Sequence, residues 1–344
     1  MRKKTRRLSA LIILLIGLLI WYSEGRPSFS SFAGITGKVT AGMKEGAGKA
    51  TQAFIPADSG PAPIVIFCPQ EHCMENLLYL INKSEKIHCA FYDLNLKPII
   101  GALKQKGAQV VIDGENRDDA NAFARHDDPD DGLMHNKFCI FDDRTVLTGS
   151  FNPTVRDNEK NNNNILILFS PALAENYEQE FQELWEGKFR KGEKVPNPQV
   201  IVNGTLIENY FCPEDGCEDH VIAAIRAANA SVHFMTFSFT SDAIGDALKD
   251  RHWNDIEVKG VFEKSQNNDY TELPKLQELG MDVRWDHNKY NLHHKVFIID
   301  RKIVVTGSYN PTKNGNEGND ENVLIIHDEG IAKKFEEEFV RVFA

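Results

Sequence analysis

Met134-His135-Asn136-Lys137-Phe138-Cys139-Ile140-Phe141-Asp142, followed by Thr148-Gly149-Ser150-Phe151-Asn152-Pro153-Thr154, has a counterpart later in the same 344-residue chain. The counterpart is Leu292-His293-His294-Lys295-Val296-Phe297-Ile298-Ile299-Asp300, then Thr306-Gly307-Ser308-Tyr309-Asn310-Pro311-Thr312. One offset relates them from His135 and His293 through Asn164 and Asn322. Each copy reads His-x-Lys, four residues, Asp, then Gly-Ser-x-Asn. Two such matches at a single offset exclude chance and establish an internal duplication.

The duplication extends outward. Phe67-Cys68-Pro69 through Cys73 matches Phe211-Cys212-Pro213 through Cys217. Helical patterns follow at 74–83 and 218–228. Strand-like runs at 87–92 and 232–237 precede helices near 99–103 and 244–248, and further strands at 108–112 and 256–261. Helices at 171–185 and 330–343 close the halves. Strands alternating with helices predict an α/β layered fold. The expected organisation is an N-terminal hydrophobic helix over 1–25, a Gly-, Ala- and Ser-rich tether over 26–62, and domains over 63–190 and 204–344. A Lys-, Gly- and Pro-rich stretch falls between them, with 191–203 as the linker.

The motif has a physical reading of its own. On an extended segment, residues two apart share a face, so His135 presents its imidazole beside the Lys137 ammonium, and His293 beside Lys295. The apolar run after each Lys is a buried strand that would hold this face rigid. Ser150 with Asn152, and Ser308 with Asn310, follow on glycine turns. Two Lys, two Ser and two Asn facing one another would cradle a phosphate. Two imidazoles on opposite sides of phosphorus suit in-line displacement, one attacking and the other protonating the leaving oxygen. Asp142 and Asp300 are candidates to fix an imidazole tautomer.

These residues resemble the phospholipase D superfamily, whose hallmark is the paired His-x-Lys-x4-Asp motif, over roughly residues 64–344. The resemblance implies two similar α/β/α halves, each a mixed sheet flanked by helices, packed as a pseudo-twofold pair around one shared site. It implies catalytic His135 and His293, phosphate held by Lys137, Lys295, Asn152 and Asn310, and no metal or other cofactor. By analogy with two-motif members, His135 is the nucleophile and His293 the acid. The single chain would then be catalytically complete as a monomer. The second copy ends Asn319-Asp320-Glu321-Asn322, like the family. The first has Asn161-Asn162-Asn163-Asn164, so Asn163 stands where Glu321 supplies the acid that supports a catalytic histidine. An amide gives an imidazolium less charge support, and the first half is expected to be the poorer one.

Composition bounds the substrate. Hydrophobic residues are 42% and charged residues 26%, which excludes a disordered or fibrous chain. The formal charge is -11, from 39 basic and 50 acidic residues. Five of the basic residues (Arg2, Lys3, Lys4, Arg6, Arg7) sit at the N-terminus; without them 34 face 50, a charge of -16. A body this acidic is not a general nucleic-acid coat, so phosphate chemistry rests on a local basic site. The stretch 239–293 looks most like the small bacterial endonucleases of the superfamily, which act as dimers of one motif each. This favours cleavage of DNA or RNA. Against it stands an acidic run before His135, from Asp113 to Asp131, either lining the mouth or a solvated loop pointing elsewhere. A Ca²⁺ site within it does not fit the spacing of an EF-hand loop. The alternative substrate is a phospholipid head group, as for a phospholipase D or a cardiolipin synthase or hydrolase.

After the basic start, Leu8 to Tyr22 is apolar except Ser9 and Gly17. It is short for a membrane span of about 20 residues and reads as an uncleaved anchor or a cleaved signal. The domains would be exported, at the cell membrane or secreted. In an oxidising compartment Cys68 with Cys73, and Cys212 with Cys217, read as two small-loop disulfides, with a shared zinc site or free thiols as alternatives. Cys89 and Cys139 either pair or are buried thiols.

Overall fold

The computed structural model describes residues 55–127 and 132–344. The hydrophobic segment, most of the tether and residues 128–131 of the acidic run lie outside the described residues. No helix among the described residues is long and apolar enough to cross a membrane.

Two mixed sheets form the frame. In the first half the strands are β2 (Ile64–Cys68), β3 (Ile87–Phe91), β4 (Gln109–Ile112), β5 (Arg125–His126), β6 (Lys137–Phe141), β7 (Thr145–Gly149) and β8 (Asn163–Phe169). They make a seven-stranded sheet in the order β2-β8-β7-β6-β3-β4-β5. In the second half β10 (Thr205–Cys212), β11 (Ser231–Thr236), β12 (Glu257–Phe262), β13 (Asp282–Trp285), β14 (Lys295–Ile299), β15 (Ile303–Gly307) and β16 (Glu321–His327) repeat it as β10-β16-β15-β14-β11-β12-β13. Two strands are added at its β10 edge. They are β9 (Gln199–Val202), inside the stretch read as linker, and β1 (Ala57–Asp58), inside the stretch read as tether. The chain therefore joins the second sheet before it builds the first.

In each half β3–β4–β5 or β11–β12–β13 run parallel and the remaining motif strands pair antiparallel. The parallel crossings use α1 (Cys73–Lys83), α2 (Lys97–Lys106), α5 (Cys217–Arg226) and α6 (Asp242–Trp253) as cover. Two short helices, α3 (Val155–Glu159) and α8 (Lys313–Glu317), follow the Gly-Ser turns, and α7 (Leu273–Glu278) precedes β13. The long closing helices are α4 (Pro171–Trp185) and α9 (Glu329–Phe343). Ser170 and Asp328 cap them, accepting the amides of Leu173 and Ile331, which satisfies donors a helix start otherwise leaves open.

These helices join the halves. Tyr177 of α4 meets Phe211 of β10 edge-to-face at 5.0 Å, and Phe335 of α9 meets Phe67 of β2 at 5.1 Å. Tyr177 and Phe335 are fully buried, each contributing about 2–3 kcal/mol by burial. A continuous apolar core runs across both sheets.

Cys68 bonds Cys73, Cys212 bonds Cys217, and Cys89 bonds Cys139. Each small-loop pair closes on itself, which uses the thiols that a zinc site would have needed. Cys89 and Cys139 face each other across β3 and β6, where Phe234 and Phe297 face each other across β11 and β14. One half fills this core position with a crosslink, the other with two rings 5.7 Å apart.

Candidate active site

His135 and His293 each sit two residues before the start of a Lys-led strand, β6 and β14. Main-chain bonds to the opposite half fix this entry. His135 N donates to Asp320 O and Asp320 N to Leu133 O; correspondingly, His293 N donates to Asn162 O and Asn162 N to Asn291 O. Asp113 and Glu263 brace the residue before each histidine by accepting the amides of Met134 (2.9 Å) and Leu292 (2.7 Å).

The tails of the two copies cross. His135 Nδ1 faces both carboxylate oxygens of Glu321, at 2.9 and 2.8 Å. His293 Nδ1 lies 2.8 Å from Asn163 Oδ1. Glu321, in the second half, supports the first half's histidine, and Asn163 in the first supports the second's. The deficit expected for the first half therefore falls on His293, because β8 and β16 each begin against the other copy's motif. With Nδ1 committed, Nε2 is the nitrogen each imidazole has for a substrate.

Lys137 and Lys295 are 1% and 3% exposed, and their ammonium groups donate to the carbonyls of His135 (2.6 Å) and His293 (2.8 Å). Tyr92 and Phe237 lie over them at 5.1 and 4.9 Å and meet the two imidazoles edge-on. Burial lowers Lys137 to about 8 and Lys295 well below its usual range, the latter also through repulsion from Lys137. Burial and both ammonium groups hold His135 and His293 well below theirs. Burial lifts Glu321 to about 8 against the pull of the two lysines. Two sequestered ammonium groups that repel one another and depress their neighbours make a site that gains by taking up an anion.

The remaining residues divide. Gly149 and Gly307 have φ of 140° and 143°, and a Cβ at either would collide with the carbonyl oxygen of Asn164 or Asn322. Ser150 and Ser308 are fully buried, and each hydroxyl accepts the amide of Asn164 or Asn322 (3.0 and 2.9 Å). Ser150 also donates to Asn163 Oδ1. These hydroxyls thus hold the residues behind the imidazoles. Asn152 Nδ2 donates to Asp157 Oδ2 at 3.0 Å, and the Oδ1 atoms of Asn152 and Asn310 are buried with no hydrogen-bond partner among the described residues.

Asp142 and Asp300 are elsewhere, at the far ends of β6 and β14. Each has positive φ, 51° and 52°, in the hairpin turn. Asp142 accepts the amides of Glu85 and Lys86, and Asp300 those of Asn229, Ala230 and Ser231. Against a burial penalty these amides keep both carboxyls below their usual range. A five-residue strand separates them from the histidines, so they pin hairpins instead of fixing tautomers. In the acidic run, Asp113 is buried as the brace already described, and Asp127 pairs with Arg190 at 2.7 Å. The cysteine loops flank the site: Cys68 pairs in register with Asn163, and Cys212 with Glu321.

The family described as cardiolipin synthase, PLD-like domain, matches residues 77–185 and 221–343. The chain belongs to the phospholipase D superfamily. Both halves are matched, as a duplication requires. A mitochondrial cardiolipin hydrolase of Canis lupus familiaris is 34% identical over 128 residues, 36% of this chain and 49% of that protein. A phospholipase D of Rickettsia typhi is 29% identical over 130 residues, 38% of this chain and 64% of the relative. The chain spans about half the length of the cardiolipin hydrolase it matches. A phosphatidylserine synthase from Haemophilus influenzae superposes with TM-score 0.62 over 80% of this chain and 86% of its own, at 13% identity, which speaks for the fold of this superfamily member alone. Sequence reading missed Tyr92, Phe237, Glu263 and Asp157 as neighbours of the site. The register of the matched strands placed the first two together and set Glu263 after β12 as Asp113 stands after β4; for Asp157 only its alignment with Gly315 carried a signal.

Proposed function

We propose that this chain is a metal-independent phosphodiesterase that works through a phosphohistidine and hydrolyses DNA or RNA, its two halves forming a pseudo-twofold pair around one catalytic centre. The phosphate anion enters between Lys137 and Lys295, offsetting the repulsion that depresses both lysines and both histidines. His135 Nε2 attacks phosphorus as the P–O bond to the leaving group breaks, and His293 gives that oxygen its proton. His293 then takes a proton from water, whose oxygen attacks phosphorus and releases His135. The supports fit these roles. A carboxyl on Nδ1 enriches His135 Nε2 and neutralises the phosphorylated ring, whereas a neutral amide leaves His293 readier to release its proton.

Nucleic acid is favoured by one observation. Tyr290, three residues before His293, has Lys160 at 5.4 Å and Lys289 at 5.7 Å from its ring, and Arg156 donates to Asn291 beside it. Interleaved cations and an aromatic ring suit a phosphate backbone and a stacked base. The second reading, a phospholipid head group, is supported by the relatives named cardiolipin hydrolase and phospholipase D. Three disulfides support export, with the N-terminal segment as anchor or signal. The full chain in EDTA is incubated with plasmid DNA, RNA and phospholipid vesicles. Cleaved nucleic acid, absent with His293→Ala, is the expected result. Head-group release with intact nucleic acid would turn the assignment to lipid, and turnover that survives both His135→Ala and His293→Ala would end it.

A further inference from the structure

Residue 157 is where the copies differ in a way the motif does not show. By the offset that relates the motifs, Asp157 in α3 corresponds to Gly315 in α8. Asp157 is 4% exposed, and its carboxylate accepts the main-chain and side-chain amides of Asn152 (2.9 and 3.0 Å) and the side-chain amide of Asn161 (2.6 Å). Among the described residues the one basic side chain within ion-pair distance is His293, whose Nδ1 is 3.6 Å from Asp157 Oδ2.

We propose that Asp157 is the positioning residue that supplies His293 with the carboxylate that Glu321 supplies to His135, the acid having moved from the strand to the neighbouring helical turn. Each copy has two places for an acid, 163 or 321 on the strand and 157 or 315 on the turn, and each copy fills one. The second copy is barred from the turn, because a Cβ at Gly315 would collide with the carbonyl oxygen of Asn310. The first copy fills the turn and leaves an amide on the strand. The geometries differ in kind. Glu321 takes the His135 Nδ1 contact itself at 2.8 Å, whereas Asn163 takes that of His293 and Asp157 stands beyond hydrogen-bond reach at 3.6 Å. His293 thus receives negative charge without a short charge-assisted bond, which stabilises its imidazolium and still lets the proton leave.

The groups facing His293 are Asn163 from β8, Asp157 from α3, His294 and Lys295 from its own strand, Lys137 and His135 from the opposite motif, and Phe237 at the end of β11. Among them Asp157 carries a negative charge against the positive lysines. Its removal therefore lowers the pH at which His293 loses its proton. This rests on the phosphohistidine reading for its purpose, but its direct test needs no substrate.

The full chain is labelled with ¹⁵N-histidine and titrated by NMR with sulfate present to offset the lysines; His293 is assigned with His293→Gln. In Asp157→Asn the His293 midpoint is expected to fall by about one pH unit or more. The basic limb of kcat falls with it, at little cost in KM. Asn163→Glu added to Asp157→Asn is expected to restore both. An unmoved midpoint in Asp157→Asn overturns the proposal. Should that variant not fold, the double variant is compared with Asn163→Glu alone: a midpoint lower in the double variant supports the contribution of Asp157, and an equal one overturns it. A shifted midpoint in a protein that cleaves no phosphodiester would break the functional reading and leave the role of Asp157 standing.

Discussion

His135 and His293 occupy equivalent places on equivalent strands, yet they are supported differently. His135 has a buried carboxyl in direct contact; His293 has an amide in contact and a carboxylate behind it. On the proposed mechanism, a shared fold thus gives one imidazole the surroundings of a nucleophile and the other those of a proton carrier. The backbone around the two is nearly the same, with reciprocal bridges between Met134 and Asp320 and between Asn162 and Leu292. The difference is carried by side chains at 157, 163, 315 and 321.

The largest test of this contrast changes the leaving group. With an ordinary alkyl phosphodiester, His135→Ala and His293→Ala are each expected to lose about 10³-fold or more in kcat. With a p-nitrophenyl ester, which leaves without a proton, His293→Ala should still release a burst of nitrophenolate as His135 is phosphorylated. His135→Ala should show none. A burst from His135→Ala alone would reverse the assignment of the two halves.

A smaller effect asks where the halves act alike. Sulfate keeps its charge from pH 5 to 10, so the pH dependence of its stabilisation reports the groups of the site, the two lysines first among them because they carry the positive charge it meets. Because Lys137 titrates near 8 in the empty site, the rise in Tm with sulfate should be full below that pH and fade above it, as the ammonium group loses its proton. Its folded value is depressed, so holding the charge costs stability as pH falls toward 8, and the anion offsets that cost. Lys137→Ala and Lys295→Ala should each abolish most of the gain. A gain that survives in one of them would show that the anion belongs to one half.

The smallest effect concerns the motif aspartates. Asp142→Asn and Asp300→Asn should each cost about 1 kcal/mol of stability in denaturant melts and leave kcat unchanged. Because these carboxyls are depressed when folded, their contribution is present above the unfolded value and lost as pH falls through the folded one. A collapse of kcat in either variant would return that aspartate to the catalytic machinery.

Much of the frame was legible in the sequence. The duplicated motif, the helix at 171–185 and the strands on either side carry strong periodicity, and the histidine–lysine faces follow from strand geometry. The added strands β1 and β9 were not legible, because two or four residues in Pro- and Gly-rich surroundings show no period. The crossing of Glu321 to His135 was also hidden. An alignment of a copy with its duplicate matches each tail to its own motif and says nothing of which histidine it reaches. The aspartates misled because the four-residue spacing that makes them conspicuous is a strand's length, which carries them to the opposite end of the sheet. Asp157 sat in plain view against Gly315, but outside the motif it had no chemistry until the fold placed it beside His293.

The crossed tails also bear on how such a site can change over time. In an assembly of two identical chains, any substitution in the tail appears at both histidines at once, and a half-step cannot be tried on one side only. Joined end to end, the copies escape that constraint. Of the two histidines, a change at Asn163 reaches His293, and on the proposed role Asp157 in the same copy can answer it without disturbing His135. In a single chain the support of each histidine is free to vary by itself.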